Sequence, residues 1–283
     1  MPSPPRPVAT ATRPPPPAVV LQDVRYCQDK CLELALVDAL RRIAFASQRT
    51  VVPHRVPLGL LLLSRQQLTV EQLRAALEAQ RNVGQGRIGE WLQRLGFATE
   101  LQITAALARQ WSCPVLRTRA ISLGASRSPQ IPATLLQSFV AIPVDYVERT
   151  ATLHLACGEG IDYSVLYAIE HIVGCHTECC TGVPSLVRRK LQALSGHRGE
   201  HEIVFDRVAD DAEFSRIVRT YCARLAASEI RLAACGPHLW VRLLRPSGPA
   251  LDLQLRSPAD VSSPAPLEYF GAGLCCSLFV CDS

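Results

Sequence analysis

The sequence predicts an α+β chain: a four-helix tandem repeat near the amino terminus, followed by small α/β modules. Two observations predict it. The first is a direct repeat: residues 57–80 read PLGLLLLSRQQLTVEQLRAALEAQ and residues 87–110 read RIGEWLQRLGFATELQITAALARQ. At an offset of 30, with no gap, eight of 24 positions are identical: Gly59/Gly89, Leu62/Leu92, Thr69/Thr99, Gln72/Gln102, Ala75/Ala105, Ala76/Ala106, Leu77/Leu107 and Gln80/Gln110. A duplicated unit of this length reads as one supersecondary element built twice and packed on itself. The second is a change of texture after Cys113–Pro114, where short β-like runs alternate with helix-like ones.

Composition sets the limits. The chain has 283 residues, 48% of them hydrophobic, enough for two small domains with cores of their own. Charged residues make up 19% and the net charge is +5, too mild and too dispersed to argue for nucleic acid. Only Lys30 and Lys190 are lysines; the other basic residues are arginine. The longest apolar run, Leu58–Leu63, is far too short to span a bilayer, so no membrane insertion is expected. No apolar export segment precedes the twelve cysteines, so a cytoplasmic chain with reduced thiols is expected.

In chain order, residues 1–20 form a proline-rich tail; eight prolines within 1–18 favour extended, uncollapsed backbone, and the segment reads as disordered. Residues 21–52 are an amphipathic helix and a link. Leu32, Leu36, Leu40 and Ile43, spaced at helical intervals within 28–47, make the helix. Residues 53–113 hold the repeat, each half a short helix and a longer one. Thr69 with Gln72, and Thr99 with Gln102, are capping boxes at the longer helices. Gly84 and Gly86 make the hinge between halves.

Residues 114–196 are a small α/β module. Val115–Leu116, Ala141–Val144 and Thr152–Ala156 are β-like, and Pro132–Gln137, Tyr163–Ile172 and Val183–Leu194 are helix-like. Residues 197–202 read as a polar linker. Residues 203–256 are a reduced α/β domain, with a long helix over 211–234 and strands at Leu239–Leu244 and Ala250–Leu255. Residues 257–283 form an irregular tail.

The repeated pattern of glycine, Leu62 or Leu92, then L-x-x-x-L-x-x-Q or I-x-x-x-L-x-x-Q resembles the amino-terminal domain of type II secretion and type IV pilus assembly ATPases. WSCPVL, IPATLLQSFVAIPV and TLHLACGEGIDYSVLYAIE extend the resemblance, and Ala227–Arg231 stands where the family carries a related run. Some members bind cyclic di-GMP through this tandem motif. The resemblance therefore implies ligand-binding positions at Leu58, Gly59, Leu73, Leu77, Gln80, Arg87, Ile88, Gly89, Ile103, Leu107 and Gln110. In this reading the apolar residues face the bases and the amides add hydrogen bonds. Backbone beside the glycines approaches the phosphates. Arg87 offers a planar cation to a guanine edge or phosphate. Pro57 stands where the first motif of the family has arginine, and Arg55 lies two residues upstream.

The family's nucleotide-hydrolysing motif is missing. Lys30 precedes Cys31 and Lys190 precedes Leu191, and neither follows a glycine, so no P-loop exists and no ATP hydrolysis is expected. The implied partners are secretion or pilus apparatus proteins and a separate ATPase, met at the inner face of the membrane. Two alternatives stand beside a regulatory or adaptor role: a ligand-free interaction module, and the remnant of a truncated secretion ATPase.

Other chemistry finds little support in the residues. Cys175, His176, Cys179 and Cys180 cluster in sequence, with Cys157 a possible neighbour, but zinc needs paired knuckles and only one is present. The seven histidines are scattered, and no residue is assigned a catalytic role.

Overall fold

A computed structural model describes residues 18–47, 55–116, 129–195 and 201–256. The readings placed on the proline-rich tail before residue 18, on the link at 48–54, on 196–200 and on the tail at 257–283 lie outside the described residues.

The described chain starts with a hairpin of β1 (Val19–Leu21) and β2 (Val24–Tyr26), turned at Gln22 and Asp23, both at positive φ. Helix α1 (Asp29–Ser47) follows, with Asp29 in its first turn, where the helix dipole favours an anion. Its stripe of Leu32, Leu36, Ala39, Leu40 and Ile43 is buried as the spacing predicts. The division at residue 20 is corrected, because Val19 and Val20 belong to β1, which runs parallel to a distant strand through Val20↔Glu229 and Leu21↔Ile230. A three-residue strand whose partner lies two hundred residues on carries no local period to read.

The repeated residues form α2 (Leu58–Ser64), α3 (Val70–Val83), α4 (Ile88–Arg94) and α5 (Glu100–Gln110). Both capping boxes are made. Gln72 N donates to Thr69 Oγ1 at 3.2 Å and Thr69 N to Gln72 Oε1 at 2.9 Å; the Thr99–Gln102 pair has 3.3 and 2.7 Å. Helix α3 ends on Gly84 at φ 71°, a left-handed cap that glycine adopts without a Cβ penalty. Helix α2 packs on α5, and α3 on α4. Their common core holds Leu58, Leu62, Leu68, Ala76, Leu92, Ala98, Ile103 and Ala106.

Next come α6 (Ala133–Ser138), β3 (Ala141–Val147), β4 (Thr152–Cys157), α7 (Tyr163–Ile169), β5 (His176–Thr181) and α8 (Pro184–Ser195). A π-helical turn, Glu170–Gly174, extends α7. The sheet order is β3-β4-β5, with β3 antiparallel and β5 parallel to β4. Val115 bridges to Thr181, which ties the end of the helical unit to this sheet.

The chain closes with β6 (Glu202–Phe205), α9 (Asp211–Leu225), β7 (Glu229–Cys235), β8 (His238–Leu244) and β9 (Leu251–Arg256). The second sheet runs β2-β1-β7-β8-β9-β6, covered by α1 and α9. Two expectations change here. The long helix over 211–234 stops at Leu225, where Ala226 turns left-handed at φ 48°, and 229–235 form β7. Buried Ile230, Leu232 and Ala233 are compatible with either period in so short a run, and pairing with β1 and β8 decides it. Glu202, read as linker, begins β6. Its carboxylate accepts from the backbone N–H groups of Ala133 and Thr134 at 3.0 and 3.1 Å.

The architecture is α+β, and the core of the three-stranded module continues into Ala233, Cys235 and Trp240 of the larger sheet. Among the described residues no helix is long and apolar enough to cross a membrane.

Candidate functional site

Positions thirty residues apart in the repeated helices make matching contacts. A Cβ on Gly59 would stand 2.7 Å from Leu73 Cδ1, and one on Gly89 would stand 3.3 Å from Ile103 Cγ2. Each glycine lets a short helix approach its long partner. Gly89 would also meet Leu58 Cδ2 at 3.3 Å, so the two halves touch there. Both glycines are buried. The side of each glycine that a Cβ would occupy is taken up by helix-to-helix packing.

The apolar candidates divide by exposure. Leu58 and Ile103 are core residues, while Leu73, Ile88 and Leu107 are half-buried against that core. Leu77 is also half-buried. The hydrophobic effect thus draws Leu58 and Ile103 into the helical interior, while the other four keep part of their surface exposed.

Gln80 Nε2 donates to the carbonyl of Gly86, and Gln110 Nε2 to the carbonyl of Val56, each at 2.8 Å. Those acceptors immediately precede Arg87 and Pro57. The glutamines therefore fix the chain just before each short helix, and their donors are directed to backbone.

Arg87 sits at the start of α4 without a side-chain cap bond. Its Nη1 donates to the backbone carbonyl of Glu159 and lies 3.5 Å from Glu159 Oε2. Glu159 belongs to the loop between β4 and α7, and its Oε1 is paired with Arg188 of α8. Arg55 engages aromatic rings beside the same loop: its guanidinium is 3.3 Å from the centroid of the Trp111 ring, with Tyr163 at 5.6 Å. Burial lowers its pKa, and Tyr163 opposes the shift. Such a cation–π contact occupies Arg55 and does not place it where Pro57 lacks a cation. Asp162, beside this junction, caps α7; burial raises its carboxyl pKa, opposed by hydrogen bonds from Ser164 and by Arg87.

Over about half of its length this chain is similar to MshE and to the amino-terminal domain of XpsE. The structure of MshE with cyclic di-GMP matches at 26% identity and a TM-score of 0.43, covering 49% of this chain and 99% of that one. One crystal form of the XpsE amino-terminal domain matches at 22% identity and a TM-score of 0.39, covering 48% and 91%. A second form gives 24%, 0.31, 46% and 89%. No protein-family model and no curated protein matches the chain.

Glu159, Arg188, Trp111 and Tyr163 escaped the sequence reading. Each belongs to a different element, and no spacing in the chain foretells that they meet. The cysteines also regroup. Cys179 and Cys180 stand on β5 near Cys113 and Cys157, whereas Cys175 is buried beyond the strand start and His176 is exposed. Cys113 Sγ is 2.9 Å from Thr181 Oγ1, and Cys180 Sγ donates to the Leu155 carbonyl at 3.5 Å. Burial raises the Cys157 thiol pKa most of all, and takes Cys179 and Cys180 to about 11. These are inert thiols at neutral pH. Among the described residues no group of three or more His, Cys, Asp or Glu is arranged to hold a metal.

Proposed function

We propose that this chain is a non-catalytic regulatory or adaptor protein of a type II secretion or type IV pilus-like system, and that α2–α5 form a tandem-repeat unit binding cyclic di-GMP. The observation that supports this is the thirty-residue equivalence of contacts. Gly59 meets Leu73 as Gly89 meets Ile103, and Gln80 holds residue 86 as Gln110 holds residue 56. Two like halves make a frame with approximate two-fold character. Cyclic di-GMP has matching character, with two guanines and two phosphates.

In this reading half-buried Leu73, Leu77, Ile88 and Leu107 offer apolar surface to the bases. Arg87 supplies the cation that a guanine edge or phosphate accepts. Gln80 acts indirectly by holding Gly86, next to Arg87. Pro57 gives the first half no equivalent cation, so recognition is one-armed. Partners in the apparatus, among them a separate ATPase, would receive the signal.

The test is calorimetric titration of cyclic di-GMP into the full chain. Saturable binding, weakened at least about tenfold in Arg87→Ala (about 1.4 kcal/mol), is expected. No heat from a folded sample removes the nucleotide reading.

A ligand-free interaction module is the second reading. Leu60, Val70, Leu95 and Leu101 are exposed, while their equivalents are Glu90, Glu100, Arg65 and Glu71. Packing of the helices therefore does not require apolar residues there. Substituting all four with the charged equivalents and measuring capture of secretion or pilus components tests this reading; unchanged capture rejects it.

A further inference from the structure

We infer that Arg87 and Arg188 together form an anion site for a phosphate-bearing ligand, and that the carboxylate of Glu159 fills it in the unliganded chain. It rests on the nucleotide reading only in naming cyclic di-GMP as one ligand of this class.

Two guanidiniums from separate elements converge on one carboxylate. Arg188 of α8 takes Oε1 and Arg87 at the start of α4 lies 3.5 Å from Oε2, with a further bond from Arg87 to the Glu159 carbonyl. A contrast within the same chain separates this arrangement from a structural ion pair. Asp252 is buried and receives Arg242 Nε and Nη2 and Trp240 Nε1, each at 2.8 Å. The Glu159 cluster is open: side-chain exposures are 36% for Arg87, 26% for Glu159 and 55% for Arg188. Pairs open to solvent are weaker than buried ones, so a competing anion can displace this carboxylate. A phosphate oxygen pair matches guanidinium geometry as well as a carboxylate does.

The backbone that carries each arginine is held by contacts other than those to Glu159. Ser185, one turn before Arg188 on α8, donates its N–H and its hydroxyl to the two carboxylate oxygens of Glu100, at 2.7 Å each. Glu100 opens α5, so this clamp fastens α8 to the helical unit independently. On the other side Gln80 holds Gly86 beside Arg87. The neighbouring carboxylate of Asp162 is committed to Ser164, accepting from its N–H at 2.9 Å and its hydroxyl at 2.6 Å. With the Glu159 carboxylate displaced, two positive charges remain facing the ligand, and the loop between β4 and α7 loses its carboxylate pairs with Arg87 and Arg188. Anion binding and the Glu159 contact are mutually exclusive.

Calorimetry on the full chain tests this with two probes, cyclic di-GMP and inorganic pyrophosphate. The proteins are wild type, Glu159→Gln, Glu159→Ala and Arg188→Gln, each first checked for native circular dichroism. Removing the internal carboxylate by either route should tighten binding about fivefold, and Arg188→Gln should weaken it by a similar factor, as expected for an exposed pair of about 1 kcal/mol. Cyclic di-GMP binding that is equal in all four proteins overturns the anion site and leaves the nucleotide reading standing. Pyrophosphate binding that follows the predicted order, with no heat from cyclic di-GMP, keeps the anion site and removes the nucleotide reading. No binding of either probe by both Glu159 variants overturns the anion site.

Discussion

Gln110, the last residue of α5, donates its side-chain amide to the carbonyl of Val56 at 2.8 Å, two residues before α2 begins. Gln80 makes the equivalent bond to Gly86, two residues before α4. A net hydrogen bond of this kind contributes about 0.5–1.5 kcal/mol. Gln110→Ala and Gln80→Ala should each lower unfolding free energy by about 1 kcal/mol, read as a fall in the urea midpoint at constant slope. A midpoint within error of wild type for both would show that these bonds leave the fold unaffected.

The close approach at Gly59 gives a sharper test. Gly59→Ala puts a methyl 2.7 Å from Leu73 Cδ1, whereas at Gly89 the tightest contact is 3.3 Å. Overpacking of a filled interior costs about 1–3 kcal/mol, and half-buried Leu73 can relieve part of that. Gly59→Ala should therefore destabilise more than Gly89→Ala. The end of the Leu73 side chain is what must yield, so Leu73→Ala in the Gly59→Ala background should cost less than the two single changes added together. A strictly additive double-mutant cycle by chemical unfolding would remove this explanation.

Arg242 and Asp252 are both nearly buried, with side-chain exposures of 8% and 9%. They face each other across β8 and β9, and Arg242 also donates to the Gln130 carbonyl. Breaking a buried pair leaves an uncompensated charge and typically costs about 3–5 kcal/mol. Asp252→Asn should destabilise by about that amount, and Arg242→Met/Asp252→Leu should recover much of the loss. Thermal melts of the three proteins distinguish a pair needed for stability from one that only fixes register.

What was legible in the sequence is local. Thr69 with Gln72 and Thr99 with Gln102 announce helix starts because a capping box closes within one turn. The stripe from Leu32 to Ile43 announces α1 because burial follows a 3.6-residue period. The strands β1 and β7 carry no period of their own that marks them, and their pairing with neighbouring strands decides them. The site divides the same way. Arg87 stands out from its place in the repeat, but its partners Glu159 and Arg188 arrive through tertiary packing of three elements. Gln80 and Gln110 occupy equivalent places in the repeat, yet their acceptors are backbone carbonyls, which no side-chain pattern marks.

The thiols set a pH prediction. Burial raises Cys179, Cys180 and Cys222 from 9.0 to about 11 in the folded chain. On unfolding they return to their ordinary value. Below pH 9 both states hold these protons and stability is unaffected. Between pH 9 and about 11 the unfolded chain releases protons that the folded chain retains, so stability falls as pH rises through that window. Urea midpoints measured from pH 8 to 11 should decline, and Cys222→Ala should flatten part of that decline whatever its effect at pH 8. A slope unchanged by the substitution would assign the alkaline loss to other groups. Among the described cysteines of the native protein at pH 8, a thiol-reactive aromatic disulfide should label exposed Cys27 and Cys31 first, while buried Cys157 and Cys222 react only after unfolding.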